Sequence, residues 1–247
     1  MKTSIEKAAS LIRDARKTVV FTGAGVSAES GISTYRGEGG TWKRYDPNKY
    51  ADINNFFQNP TYYWSFFRDV RYPMFADAKP NPAHFAIADL EKQGKLDVVV
   101  TQNIDGLHQA AGSTNVLEIH GNTRVINCLS CHADFGFQEI YQQVLEELPP
   151  TCKKCGGTLK PGVVFFGDQL PAGVMEQADK RVADCDLLLV IGSTLQIYPA
   201  ASLPLIAKRN SAKVIIVNVG ETAMEEMADV RIDARAGEVL PQIVQLI

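Results

Sequence analysis

Polar residues that directly follow apolar runs mark the part of the chain where chemistry is most readily placed. The apolar run 96–100 is followed by Gln102, Asn103 and Asp105, and a second run ends at His120. Such runs are typical of buried parallel strands, and ligands bind beyond the carboxyl ends of those strands. Histidine is the side chain best suited to accept a proton near neutral pH. These residues are therefore predicted to line one crevice, with His120 as a general base.

Four of the five cysteines form two Cys-x-x-Cys pairs. Cys128 and Cys131 are separated from Cys152 and Cys155 by 20 residues. This spacing is typical of a tetrahedral zinc site, in which four thiolates leave no position open for a substrate. One structural zinc ion is therefore predicted. Two disulfides are the alternative, which a reducing compartment disfavours.

A glycine turn after the first apolar run predicts dinucleotide binding. The strand-like segment 18–22 leads into Gly23, Ala24 and Gly25, which open a G-x-G-x-x-A pattern that ends at Ala28. Glycines let the backbone approach a pyrophosphate, and the N-terminus of a following helix faces its negative charge. A tight turn that binds nothing is the alternative.

The next segment departs from the pattern of a hydride-transferring dehydrogenase. Those enzymes carry an acidic residue about 20 positions after the glycine turn, at the end of a second strand. Here a glycine-rich loop occupies 31–40 and contains Tyr35 and Arg36. Long loops in compact domains are often binding loops, so Arg36 is a candidate phosphate ligand and Tyr35 a candidate cover for a ring. A surface loop without a ligand is the alternative.

The elements that must hold these residues alternate between strands and helices. Apolar runs at 162–166, 187–191 and 214–217 predict further strands, whereas the aromatic-rich segment 52–75 predicts a small helical module. Such alternation indicates an α/β fold, in which helices cover both faces of a Rossmann-like parallel sheet.

Composition narrows the class of protein. The chain has 247 residues, 45% of them hydrophobic, and a formal charge of -3 at pH 7. A nucleic-acid-binding protein is usually basic, so no nucleic-acid partner is expected. The charged N-terminus does not resemble a signal peptide and no apolar run reaches membrane-spanning length, which predicts a cytoplasmic location without a membrane partner.

Together these motifs resemble the sirtuin family of NAD-dependent protein deacylases. The resemblance covers nearly the whole chain. It is carried by GAGVSAESGI (23–32), TQNIDGLHQAAG (101–112), EIHG (118–121), the two cysteine pairs, KPGVVFFGDQLP (160–171), GSTLQIYPAA (192–201) and IVN (216–218).

The resemblance implies two domains and a cleft between them that receives acyl-lysine and NAD. A discontinuous Rossmann-like NAD-binding domain would contain residues 1–34, 80–123 and 160–247. A small domain would contain the helical insertion 35–79 and the zinc-binding module 124–159.

The reaction that the resemblance implies transfers the acyl group from lysine to ADP-ribose. The acyl oxygen attacks the nicotinamide ribose and expels nicotinamide, which leaves an alkylimidate. His120 matches the base that activates a ribose hydroxyl, and water then releases lysine and O-acetyl-ADP-ribose. Asn103 and Asp105 match the residues that hold the nicotinamide carboxamide, and Asn103 is also assigned as catalytic.

The resemblance assigns cofactor and substrate to several segments. The cofactor residues are Gly23, Ala24, Gly25, Tyr35, Arg36, Gln102, Asn103, Ile104, Asp105, Gly192, Ser193, Thr194, Asn218 and Ala236. The residues that bind acyl-lysine protein substrates, by adding them as a strand between two edges or by contacting the acyl group, are Val163, Val164, Phe165, Gly167, Leu195, Ile197, Tyr198 and Phe67.

Two departures from the family pattern affect these expectations. The loop has Ser33 and Tyr35 where the family commonly has proline and phenylalanine, so activity is expected with an altered rate of nicotinamide exchange. Members that prefer acidic acyl groups carry Tyr-x-x-Arg where this chain has Phe67 and Val70, and Arg68 and Arg71 are out of step with that pattern. An apolar acyl pocket without a cation is therefore predicted.

Three other activities are weighed against deacylation. Mono-ADP-ribosyl transfer to protein would use the same NAD site and is the main alternative. A nucleotide sensor without turnover would have no use for His120 as a base. A dehydrogenase lacks support because the acidic residue of the second strand is missing.

Overall fold

Six parallel strands form the sheet that the apolar runs predict. The computed structural model describes residues 1–37 and 39–247. The strands of these residues are β1 Thr18–Thr22, β2 Val98–Thr101, β3 Val116–Glu118, β4 Gly121–Cys128, β5 Asp134–Gly136, β6 Leu159–Val163, β7 Leu187–Ile191, β8 Lys213–Val217 and β9 Val230–Ile232. The large sheet has the order β3-β2-β1-β7-β8-β9, with every neighbouring pair parallel. This is the strand order of doubly wound dinucleotide-binding domains, and it reverses between β1 and β7.

Helices pack on both faces of this sheet because its strands are apolar on both faces. The α-helices are α1 Lys2–Asp14, α2 Pro47–Ala51, α3 Ile53–Gln58, α4 Pro60–Phe66, α5 Tyr72–Ala76, α6 Pro82–Lys92, α7 Leu107–Ala110, α8 Phe137–Glu146, α9 Val174–Ala183, α10 Leu203–Arg209 and α11 Ala236–Val244. Leu187 and Leu189 of β7 belong to one buried hydrophobic cluster, together with residues of α1, α6 and α11. Leu188 belongs to a second buried cluster, together with residues of α9 and α10. Successive strand residues point to opposite faces, so one strand supplies both cores. The predicted α/β fold is confirmed.

A second, smaller sheet lies outside this sandwich. Strands β4, β5 and β6 pair antiparallel in the order β5-β4-β6. Their buried side chains join those of the aromatic helices in a third cluster, where the indole of Trp64 donates a hydrogen bond of 3.1 Å to the Leu159 carbonyl. No helix within residues 1–37 and 39–247 is long and apolar enough to cross a membrane.

The structure differs from the sequence prediction in one strand and specifies the type of one helix. The strand predicted at 162–166 is β6, which begins at Leu159, ends at Val163 and pairs with β4 in the small sheet. Its buried residues alternate, as expected for a strand with one solvated face. The predicted domain boundary at residue 160 therefore falls within β6. The helix predicted after the glycine turn is a 3-10 helix of seven residues, Ala24–Ser30.

Candidate functional site

A cleft of about 990 Å³ lies at the carboxyl ends of the parallel strands. Loops after β1, β2, β7 and β8 line it, so it sits where the strand order reverses. Most predicted site residues line this cleft: Gly23, Ala24, Gly25, Tyr35, Arg36, Gln102, Asn103, Ile104, His120, Val163, Val164, Phe165, Gly167, Gly192, Ser193, Thr194, Ile197, Tyr198, Asn218 and Ala236. The fold therefore gathers residues from both ends of the chain into one site.

The glycine turn after β1 interlocks with the loop after β7. The Gly25 amide donates a hydrogen bond of 2.9 Å to the Gly192 carbonyl. A Cβ atom on Gly25 would lie 2.7 Å from the Gly192 Cα atom, and Gly192 itself has a φ of +62°. Both positions therefore require glycine for packing as well as for access to a ligand. The sequence pattern predicts the second requirement but not the first.

His120 has the geometry of a neutral base. Its Nδ1 atom lies 3.1 Å from the Gln102 carbonyl oxygen, which can only accept, so Nδ1 carries the proton and Nε2 is the free acceptor. Burial lowers the pKa of His120, and the hydrogen bond to Gln102 opposes this in part. The imidazole is therefore held in one orientation and is unprotonated at neutral pH.

Ser27 organises the polar residues beside this base. It is buried, and its hydroxyl donates a hydrogen bond of 2.8 Å to the Asp105 carboxylate and accepts one of 3.0 Å from the Asn103 side chain. The Gln102 amide donates a hydrogen bond of 2.9 Å to Ser193, which joins the loops after β2 and β7. Sequence reasoning did not assign Ser27 to the site, although it lies within the glycine pattern and could have been found there.

Two buried histidines lie behind Ser27 and Asn103. The Nε2 atom of His108 is 2.9 Å from the Thr22 hydroxyl, and the Nε2 atom of His84 is 3.5 Å from the Ser27 hydroxyl. Burial lowers the pKa of His108 to about 3 and that of His84 to about 4. Both imidazoles are therefore neutral parts of the packing. His84 has a structural role, because its Nδ1 atom accepts from the Asn81 amide at the start of α6.

Three of the residues predicted for catalysis, cofactor binding or substrate binding do not line the cleft. The Asp105 carboxylate points to Ser27 and accepts from the Leu107 amide at 2.9 Å, and burial raises its pKa. Leu195 is buried. Phe67, the predicted acyl-pocket residue, packs in the third hydrophobic cluster with Trp64 and Phe137. Asp105 and Phe67 therefore lie behind the residues that line the cleft, because their side chains contact other parts of the protein.

The helical insertion places a cation in the wall of the cleft, although not at Phe67 or Val70, where an apolar acyl pocket stays a prediction. A π-helical segment, Phe67–Arg71, adds one residue to a turn and changes the direction of the side chains that follow. Arg71 lines the cleft, as does Trp42. A regular 3.6-residue period does not account for this inserted turn, so the residue pattern alone missed Arg71.

The two predicted substrate edges differ in how they are occupied. Val164 donates a hydrogen bond of 2.9 Å to the His120 carbonyl, which ties this edge to the base. Phe166 already uses both backbone groups, since it donates to Ala51 at 2.8 Å and accepts from Ile53 at 3.0 Å. On the opposite edge the side chain of Tyr198 is exposed, and Tyr198 lines the cleft. Val164 and Tyr198, one from each edge, therefore both line the cleft.

The four paired cysteines meet at one point. Their Sγ atoms lie within 4.8 Å of one another, with Cys128 to Cys155 at 3.5 Å and Cys131 to Cys152 at 3.7 Å. Thiolates 2.3 Å from a tetrahedral zinc ion are separated by about 3.8 Å, so the donor set fits zinc. None of these cysteines forms a disulfide.

Comparison with known proteins places the chain in a family. The Sir2 family model matches residues 23–199. NAD-dependent protein deacylase 2 of Archaeoglobus fulgidus is 47% identical over 246 residues, which cover 99% of this chain and 96% of that protein. NAD-dependent protein deacylase 2 of Pyrobaculum aerophilum is 45% identical over 237 residues, 96% of this chain and 93% of that protein.

Solved structures of Sir2 enzymes superpose on nearly the whole molecule. A structure from work on the mechanism and regulation of Sir2 enzymes has a TM-score of 0.93 and 46% identity, and the match covers 100% of this chain and 98% of that chain. A Sir2 variant with a deacetylated p53 peptide and 3'-O-acetyl-ADP-ribose has a TM-score of 0.94 and 36% identity, covering 98% of this chain and 97% of that chain. The cleft, the cysteine cluster and these likenesses agree, and the chain belongs to the Sir2 family.

Proposed function

We propose that this protein is an NAD-dependent protein-lysine deacylase. It transfers an acyl group, acetyl among them, from lysine to ADP-ribose and releases nicotinamide and O-acyl-ADP-ribose. The observation that carries the proposal is the fixed, neutral imidazole of His120 in the wall of a cleft lined by a glycine turn. The names of its relatives and the acetyl-ADP-ribose product bound by a structural neighbour support the same reaction.

NAD occupies the cleft where the strand order reverses. The turn at Gly23–Gly25 offers amide groups to the pyrophosphate, with Arg36 as its cation, and Asn218 and Ala236 lie on the adenosine side. Asn103, held by Ser27, and Ile104 form the nicotinamide end. Asp105 acts there through Ser27, because its carboxylate is bonded to that hydroxyl. A cleft of about 990 Å³ with this lining fits a dinucleotide together with an acyl-lysine side chain.

His120 accepts a proton from a ribose hydroxyl through Nε2. The Gln102 carbonyl keeps Nδ1 protonated, so Nε2 of this cleft-lining residue is free to accept a proton without a change of tautomer. The acyl-lysine enters as part of an extended segment that pairs with the backbone groups left free in Val163–Gly167, those of Phe166 excluded, and in Leu195–Tyr198. The ligand that this geometry selects is therefore an exposed, extended acyl-lysine segment of a protein.

Zinc and the domain division complete the proposal. One zinc ion at the four cysteines supports the small sheet and takes no part in the reaction. The large domain holds the parallel sheet, and the small domain holds the helical insertion and the zinc module, with its second boundary after Val163, at the end of β6. A cytoplasmic location is consistent with the need for four reduced thiols.

The test is mass spectrometry of an acetyl-lysine peptide incubated with the protein, with and without NAD. We expect loss of the acetyl group only with NAD, together with equal amounts of nicotinamide and O-acetyl-ADP-ribose. His120→Ala should lower the rate by about 100-fold or more while NAD still binds. His132→Asn is the matched control, because it removes an exposed imidazole outside the cleft.

Two outcomes would contradict the assignment. An acetyl or longer acyl peptide that stays unchanged, while label from NAD accumulates on protein, would identify ADP-ribosyl transfer instead. Near-normal deacylation by His120→Ala would remove the base from the mechanism.

A further inference from the structure

A buried cation lies where the helical insertion meets the cleft. Arg71 is only 6% exposed and lines the cleft, at the end of the π-helical segment Phe67–Arg71. Burying a guanidinium is costly unless its surroundings compensate the charge. We therefore expect the positive charge of Arg71 to have a role at this position.

Four aromatic rings surround this guanidinium. The Cζ atom of Arg71 lies 5.4 Å from the ring centres of Tyr35 and Phe66, and 6.0 Å from those of Trp42 and Tyr63. Arginine is attracted to the faces of aromatic rings within about 6 Å, and more strongly when it is desolvated. Phe66 and Tyr63 belong to α4 in the helical insertion, whereas Tyr35 belongs to the glycine-rich loop and Trp42 lies in the short 3-10 helix Thr41–Lys43 that directly follows it. Arg71 thus connects the loop to the insertion.

The loop and the turn that follows it are folded so that the rings of Tyr35 and Trp42 reach Arg71 together. Trp42 donates a backbone hydrogen bond of 3.0 Å to the Tyr35 carbonyl, and the two rings stack with centres 5.3 Å apart. Gly40 permits this fold, because a Cβ atom there would lie 2.8 Å from the Tyr35 carbonyl oxygen and from the Arg36 Cα atom. The stack continues to Phe66, whose ring centre is 5.9 Å from that of Trp42. One continuous aromatic assembly therefore holds the loop, with Arg71 against its side.

We infer that Arg71 is a positioning residue for the cofactor loop, which deepens the proposed function and rests on it. It holds Tyr35 and, through the loop backbone, Arg36 in the conformation that meets NAD. Binding then costs less conformational entropy, because the loop is already ordered. The planar guanidinium can stack against several rings at once, which the compact ammonium of lysine cannot do.

A different role would make Arg71 part of the acyl site. In that role its guanidinium would form an ion pair with the carboxylate of an acidic acyl group such as succinyl. The surrounding rings favour the positioning role, since they enclose the guanidinium between the loop and α4. The two roles differ in which ligand loses affinity when the charge is removed.

The experiment measures NAD binding by calorimetry and the KM values for NAD and for acetyl-lysine and succinyl-lysine peptides. Arg71→Met keeps the length of the side chain without its charge, and Arg71→Lys keeps the charge without the planar group. We expect Arg71→Met to weaken NAD binding about tenfold and to change the KM for the acetyl peptide less than about twofold. Arg71→Lys should recover only part of the loss. Arg68→Met is the matched control from the same segment, because Arg68 pairs with Asp69 outside the cleft and should bind NAD normally.

Unchanged NAD binding by folded Arg71→Met would overturn the inference. So would a loss confined to succinyl-lysine turnover. If Arg71→Met does not fold, Gly40→Ala tests the same loop from its other side and should weaken NAD binding alone. Calorimetry needs no turnover, so a wild type that binds NAD without deacylating would refute the proposed function and leave this inference testable.

Discussion

The hydroxyl of Ser27 lies 2.8 Å from the carboxylate of Asp105, and this hydrogen bond holds the half-buried carboxylate behind the cleft. The same hydroxyl accepts from the Asn103 side chain, so one small residue orients an amide and a carboxylate from the loop after β2. The polar end of the site is therefore set by a residue of the glycine turn.

Ser27→Ala should impair turnover more than folding. Removing the hydroxyl leaves the Asp105 carboxylate without one of its donors and frees the Asn103 amide, and hydrogen bonds to charged groups contribute about 1.5–3 kcal/mol. We expect kcat/KM to fall about 10- to 100-fold. Ser10→Ala is the control, because Ser10 bonds an exposed Asp14 on α1. Equal activity of the two variants would contradict the role of Ser27.

The pH dependence of kcat/KM should follow His120. Burial lowers the pKa of this group from its ordinary value of 6.5, and the base works only when it is neutral. Activity should therefore persist as the pH falls through 6.5 and decline below it. The profile is measured between pH 5 and 8 with acetyl peptide and NAD. A fall in kcat/KM with a midpoint above pH 6.5 would contradict a lowered pKa of His120.

Stability should decrease in mild acid because of the buried histidines. His84 and His108 have folded-state pKa values of about 4 and about 3, below the ordinary value of 6.5. The unfolded chain therefore binds protons first, so their contribution is complete above pH 6.5 and is lost as the pH falls towards these values. The loss is at most about 1.4 kcal/mol per pH unit for each histidine. Urea unfolding at pH 7, 6 and 5 measures it, and His108→Gln should flatten the dependence. An equal slope in that variant would argue against His108 as a source.

Zinc should be bound in a ratio of about one per chain, and its removal should unfold the small sheet. Cys152→Ser takes one ligand from a site whose four sulfurs lie within 4.8 Å, so the metal content should fall and the melting temperature with it. Cys185→Ser is the matched control, because this buried thiol lies outside the cluster. Full zinc content and unchanged melting in Cys152→Ser would show that the cluster is not a metal site.

Local sequence patterns predict much of this protein because each depends on neighbours in the chain. The largely apolar segments 18–22 and 187–191 predict β1 and β7, since a strand buried on both faces must be mostly apolar. Two Cys-x-x-Cys pairs predict the cluster, because each pair forms one knuckle whatever surrounds it. The residues after each strand predict the cleft, because parallel strands end at the same edge of the sheet.

The tertiary structure decided the features that depend on contacts between distant segments. The partner of β6 is β4, because Leu159 and Val163 bury their side chains in the core of the small sheet rather than the large one. Asp105 points away from the cleft because Ser27, remote in sequence, supplies its donor. Arg71 faces the cleft because a π-helical turn changes the register of its helix, and Tyr35, which meets it there, comes from a loop folded against another segment. Each of these features depends on a contact between segments that are far apart in the sequence. A local residue pattern does not specify which distant segments come into contact.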